Sequence, residues 1–387
     1  MYSNKTTYFI FLTVFLAEFS FFFALPLMGK TPGLSASSVA ACLAGAVILE
    51  SLLMLTSTGY LERFSRRTLI CTSLLLRSGA FMTIFLSLSL PAWLIFFFLI
   101  AVSKSISKPF LREVLAENLS GNQLKKALYT FSLCQNSAVF VAPLLAVAAM
   151  KFSFIETVLL ALIISGVVMA VTAMQLIYSF PSSKPSTSPV LAGMRSAFQG
   201  VVDSKGIQRI LLSSFFCFLI MGIFITSTAL LDKINPGIGT YSGLFFSVVG
   251  ITICLWQGVV TKLTALSDRY SSQLILIGGV LSSSYLLGSV YLAITALIAY
   301  SVYESVIIPE LYFKATHVPS TIPGSVLFSY ILIASNAGEA FGSWLTGLAI
   351  THMAEHVPIF ILITVLCSAI ISFLCLKTAD RKEVACQ

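Results

Sequence analysis

Charge is what this chain has least of. Lys, Arg, Asp and Glu make up 10% of its 387 residues, against roughly 25% in an ordinary soluble domain. With 57% hydrophobic residues as well, the chain does not have the polar surface that a single soluble core would need. Histidine is scarcer still, at three. His317 falls in a cytoplasmic loop, and His352 and His356 flank Glu355 on a short outer loop; two ligands at that spacing do not make a metal site. The eight cysteines are dispersed without a C-x-x-C pair, and each reads as a small hydrophobe. There is no glycine-rich phosphate loop, no nucleophile elbow and no metalloprotease helix, and no polar stretch long enough to house an enzyme domain. These absences argue against an enzyme, a bound metal and a nucleic-acid partner. The last exclusion also rests on how the net charge of +8 is distributed.

What the chain does have is apolar runs of membrane-spanning length, about 20 residues each. Twelve are expected, over about 7–28, 35–58, 68–89, a fourth from Pro91 through Arg112, then 127–149, 155–178, 210–231, 241–261, 273–290, 292–313, 324–349 and 357–376. The first follows Lys5 but lacks a small-x-small cleavage site, so it is read as a retained helix rather than a secretory signal. Of the 23 Lys and Arg, only Lys30, Lys151 and Lys233 fall on one side of the spans and only Arg77, Lys104 and Lys108 fall within them. The rest gather on the other side, which assigns both termini to the cytoplasm of a multi-pass protein in a bacterial inner membrane.

Charge inside a span costs at least about 2.5–3.5 kcal/mol per residue, so it persists where it faces a partner, a cavity or a solute. From Ala101 to Glu113, Lys104, Lys108 and Arg112 recur every fourth residue and form one cationic stripe on a helix. Arg112 is expected to reach the cytoplasmic interface by snorkelling. The acids Glu18, Glu50, Glu304 and Glu339 and the bases Arg77, Lys104 and Lys108, with Asn136 on the fifth span, make up the candidate proton- and substrate-binding set. Acids in a poorly hydrated setting can carry protons, and nearby bases can hold an anion. The competing reading is a set of static ion pairs between helices, which weighs most for Glu50 and Arg77.

The chain also repeats. Pro109 and Pro309 in spans four and ten, and Asn136 and Asn336 in spans five and eleven, are each 200 residues apart. The same offset sets Glu304 opposite Lys104 as a candidate charge pair. Between the halves lies a Ser/Pro-rich linker from Phe180, then Leu191, Met194, Phe198 and Val201 at the spacing of a surface amphipathic helix. The expected division is a six-helix bundle over 1–179, a cytoplasmic linker with an amphipathic helix over 180–207, and a second six-helix bundle over 208–387.

Between spans two and three the chain reads Gly59-Tyr60-Leu61-Glu62-Arg63-Phe64-Ser65-Arg66-Arg67-Thr68-Leu69-Ile70. This resembles the signature loop of the major facilitator superfamily, Gly-x-Leu-Asp/Glu-Arg-x-Gly-Arg-Arg-x-x-Leu/Ile, with Ser65 where the family has its second glycine. The resemblance implies an all-α fold of twelve transmembrane helices in two pseudo-symmetric bundles. It also implies a cytoplasmic latch between spans two and eleven, built here from Gly59, Glu62, Arg63, Arg66 and Arg67. The fifth span, Ala138-x-x-x-Ala142-Pro143-x-x-Ala146, resembles the proline motif of the family's exporters with alanine in the glycine positions; close helix packing explains it equally well. Lys108 before Pro109, with Glu304, resembles the lysine and the acid of the family's peptide transporters. Their first-span Glu-x-x-Glu-Arg motif is absent around Glu18.

The resulting expectation is a monomeric secondary transporter in the lipid bilayer that moves a small anionic or zwitterionic solute by proton-coupled alternating access. The expected direction is export, with no cofactor and a proton gradient as the energy source. A peptide or nutrient importer and a non-transporting receptor of the same fold are the alternatives.

Overall fold

In the computed structural model, residues 4–29, 31, 36–152, 154–176, 198–239, 242–260, 264–318, 322–353 and 356–383 are described. Among them there is no strand, and twelve helices have 18 residues or more. They are α1 (Asn4–Gly29), α2 (Ala36–Leu61), α3 (Arg66–Leu86), α4 (Leu90–Asn118), α5 (Gly121–Lys151), α6 (Ile155–Leu176), α7 (Lys205–Ala229), α8 (Ser242–Val260), α9 (Thr264–Leu281), α10 (Val290–His317), α11 (Gly324–His352) and α12 (Val357–Glu383). Eight of them, all but α2, α8, α9 and α11, are long and apolar enough to cross a membrane by length and composition.

Local chemistry sets several boundaries. Ser65, where the loop motif expects glycine, caps α3 by accepting the Thr68 amide at 3.1 Å. Pro91 starts α4 at a position where its missing N–H costs nothing. Between α9 and α10 the expected spans ran almost end to end at 290 and 292. Instead α9 stops at Leu281, a 3-10 turn covers Ser284–Leu287, and Gly288 takes φ 82° before α10 begins at Val290. The left-handed residue breaks the helix where hydropathy alone runs on. Residues 177–197, with most of the linker and the first part of the expected amphipathic helix, lie outside the described residues; 198–203 are helical.

The chain forms two compact units. The first comprises Met1–Ser120, Cys134–Phe198 and Ile322–Ser329; the second comprises Gly121–Leu133, Gln199–Thr321 and Tyr330–Gln387. In the first, a core of Phe23, Ala24, Phe81, Trp93, Phe96 and Ile100 closes over Ala142, Ala146 and Ala149 of α5. Ala138, Ala142, Ala146 and Ala149 are all fully buried, so the small residues of the proline motif serve close helix approach. Ser73 and Ser103 each donate to the other's carbonyl, at 3.1 and 2.8 Å, and draw α3 and α4 together.

In the second unit the positions 200 residues on, Gly338 and Gly342, work the same way. A methyl group at Gly338 would lie 2.0 Å from the Phe215 carbonyl oxygen, one at Gly342 2.2 Å from that of Leu219, and one at Gly222 2.1 Å from that of Glu339. Here α7 and α11 touch backbone to backbone. Pro109 and Pro309 are both buried inside their helices, α4 and α10.

Candidate functional site

The first unit gathers buried charge from four helices. Lys104 on α4 lies 3.6 Å from the Glu18 carboxylate on α1, and its ammonium sits 3.6 Å from the centre of the Phe21 ring. One turn on, Lys108 bonds Glu50 of α2 at 2.7 Å. Arg77 of α3 donates to the Ala17 carbonyl at 2.5 Å, one residue before Glu18. Arg112 does not reach the membrane surface as expected. It is 3% exposed and donates to the Lys108 carbonyl at 3.1 Å and to Gln135 of α5 at 3.3 Å. The four cations all act electrostatically on Glu18. Within this cluster the acids are two, Glu18 and Glu50, and the cations four. The i, i+4 stripe read from the sequence is thus a real face of α4, and Lys104 has its carboxylate partner inside its own unit. Asn136 and its counterpart Asn336 are half-buried.

In the second unit two acids act on one another. Glu304 of α10 is half-buried and hydrogen-bonded to Tyr300 one turn back, and the charged group acting on it is another acid, Glu339 of α11. Tyr300 stacks on Phe224 with ring centroids 3.6 Å apart, and Tyr303 donates to the Cys217 carbonyl at 2.8 Å, which fixes this face of α10 against α7. Further along, Lys125 of α5 pairs with Glu310 of α10, both essentially without exposure, and the Tyr129 hydroxyl donates to the same carboxylate at 3.1 Å. Gln257 of α8 is fully buried and donates to Ser132 at 2.7 Å.

At the loop after α2, Arg66 is the arginine that bridges. It lies 2.9 Å from Glu62 and 2.7 Å from Glu113 at the far end of α4. Glu113 in turn accepts the Ser325 amide at 3.0 Å and so caps the first turn of α11. A methyl group on Gly324 would lie 3.3 Å from the Glu113 side chain. Arg63 sits over the Tyr60 ring at 5.9 Å, Arg67 is half-buried, and Gly59 lies in the last turn of α2. Burial pushes the Glu62 carboxyl above its ordinary value, while the charge and hydrogen bond of Arg66 pull it back down.

The reading of the sequence missed Glu113, Tyr300 and the Lys125–Glu310 pair. Positions 113 and 325 meet, and so do 125 and 310, so an acid of α4 reaches the start of α11 and an acid of α10 reaches the start of α5. The 200-residue offset relates 125 to 325, and that was the available signal.

Helices long and apolar enough to cross a membrane, in two units with buried charges among them, are the build of a polytopic membrane transporter. The chain belongs to the Major Facilitator Superfamily, whose family model matches residues 7–343. Comparison with curated protein sequences finds no match. Among solved structures the chain is similar to FucP, the fucose:proton symporter of E. coli, in an outward conformation. The TM-score is 0.78 at 13% identity, over 97% of this chain and 98% of that one. It is similar also to the human organic anion transporter MFSD10 (TETRAN), with a TM-score of 0.75 at 14% identity over 95% and 98% of the two chains. A bacterial homologue of the iron transporter ferroportin, in an outward-facing state, gives 0.74 at 14% identity over 97% and 99%. At these identities the likeness is one of fold.

Proposed function

We propose that this chain is a proton-coupled secondary transporter for a small organic solute with an anionic group, working by alternating access of its two halves in a bacterial inner membrane, both termini cytoplasmic, as a monomer. The observation that carries this reading is the charge cluster around Glu18, where the buried Arg77, Lys104 and Arg112 and the half-buried Lys108 gather with two acids, Glu18 and Glu50. Charge in a low-dielectric interior is costly, and an anionic solute offsets an excess of cations in such a cluster. Glu304, with an acid rather than a base as its charged neighbour, is the proton carrier in this account, and Glu339 is its companion. One structural relative is an organic anion transporter and another a fucose:proton symporter, which accords with the reading. Export rests on the α5 motif alone, and packing accounts for its alanines as well.

A zwitterionic solute is the second reading. Two acids near one another can hold an ammonium group as readily as a proton.

The test is a screen of small carboxylates and sulfonates by thermal stabilisation of the purified protein. A ligand at a hundredfold its Kd adds about 2.7 kcal/mol to the folded state. The double variant Lys104→Gln/Arg112→Gln brings the cluster to two cations and two acids. A cooperative melt with the ligand shift abolished is expected. An undiminished shift in that variant would place the anion elsewhere, and binding without flux in liposomes would make the protein a receptor.

A further inference from the structure

Apart from the charge cluster, the first unit contains a crevice of about 20 Å³ between α1, α3 and α6. Its lining includes Ser20, Arg77, Ser78, Ser165, Gly166 and Met169. Arg77 is 4% exposed, and its Nε–H has no hydrogen-bond partner among the described residues. A guanidinium donor in that position calls for an acceptor.

The serines decide which kind. Each already spends its one hydroxyl proton on a carbonyl of its own helix: Ser20 on Ala17 at 2.9 Å, Ser78 on Leu74 at 3.1 Å and Ser165 on Leu162 at 2.9 Å. What they still present to the crevice is lone pairs. An occupant must therefore accept from Arg77 and donate to serine oxygens. An anion only accepts, and it would face three oxygens whose protons point away. Glu18 and Glu50 both act electrostatically on Arg77 as well. A water molecule has the right valence, and it needs about 10–15 Å³ and two to four polar partners, both of which this crevice provides. An organic solute does not fit in that volume.

We infer that the crevice is a binding site for one water molecule, which accepts from Arg77 and donates its two protons to serine oxygens of the lining. The water completes the coordination of an arginine whose other arm holds the Ala17 carbonyl, next to Glu18. It thereby links Arg77 of α3 to the serine oxygens around it, beside the buried charges. Arg77 then belongs to the framework of the cluster rather than to its ligand-binding groups, a conclusion that does not depend on the solute or the coupling ion.

Hydroxyl-radical footprinting with brief X-ray pulses tests this, because radicals form from a bound water in place. Met169 lines the crevice and Met221 of α7 does not, yet both are 6% exposed. Met169 is expected to oxidise several-fold faster than Met221. A methyl group at Gly166 would lie 2.0 Å from the Ser78 hydroxyl oxygen, so Ser78→Ala/Gly166→Ala puts a methyl group in place of that oxygen, takes an acceptor from the crevice and is expected to bring Met169 down towards the rate of Met221. Arg77→Lys keeps the charge, loses Nε and is expected to slow Met169 several-fold. Equal rates for the two methionines in the wild-type protein would overturn the inference. So would fast oxidation of Met169 that survives in Ser78→Ala/Gly166→Ala.

Discussion

Arg66 shows how much of this protein turns on single side chains. It bridges Glu62, four residues before it, and Glu113, which arrives from another helix and caps the start of α11. Removing one partner of a buried pair leaves the other charge stranded, at a cost of roughly 3–5 kcal/mol. Arg66→Gln is therefore expected to lower the thermal midpoint more than Arg66→Gln combined with Glu113→Gln, since the double variant removes both charges. Additive losses in that cycle would mean that the two side chains are not coupled. The loop motif revealed Glu62 and the arginines because they are local. Glu113 stood in plain view at the end of the cationic stripe, but nothing in its spacing says that a residue 47 positions from Arg66 and 212 from Ser325 will meet both. Arg112 misled for a related reason: its position near a helix end fits snorkelling, whereas Gln135 and the Lys108 carbonyl hold it inside.

Among the elements, the helices themselves were legible, because apolar runs of spanning length are the strongest signal a sequence carries. Their ends were less so. The α9–α10 turn depends on one left-handed glycine within an apolar stretch, and hydropathy does not register it. Helix contacts were half legible. Ala138, Ala142 and Ala146 of α5 were seen as a motif, but the tighter contact is at Gly338 and Gly342, which only the 200-residue offset points to. Overpacking a close contact costs about 1–3 kcal/mol. Gly338→Ala is expected to lower the thermal midpoint clearly, because its methyl group would lie 2.0 Å from a backbone oxygen that cannot swing aside. Gly347→Ala, with nothing within 4 Å, is expected to leave it unchanged. Equal midpoints for the two variants would contradict the backbone-to-backbone contact of α7 and α11.

For the molecule as a whole, composition and one loop were enough to reach the superfamily, since both reflect constraints shared by the entire fold. The solute is another matter. In the proposed reading it is set by a few charges contributed by distant helices, and their grouping became visible only once Glu18, Glu50, Arg77, Lys104, Lys108 and Arg112 were in one place. The first unit carries excess cation and the Glu304–Glu339 pair carries acid, so the proposed labour is divided, with solute held by the former and proton by the latter. The most direct test is flux through purified Glu304→Gln protein in liposomes, using a solute found by thermal stabilisation. The wild-type protein is expected to accumulate that solute against its gradient when a pH difference is imposed. Glu304→Gln is expected to lose this accumulation while still exchanging solute for solute. Wild-type accumulation by Glu304→Gln under the same pH difference would contradict the account.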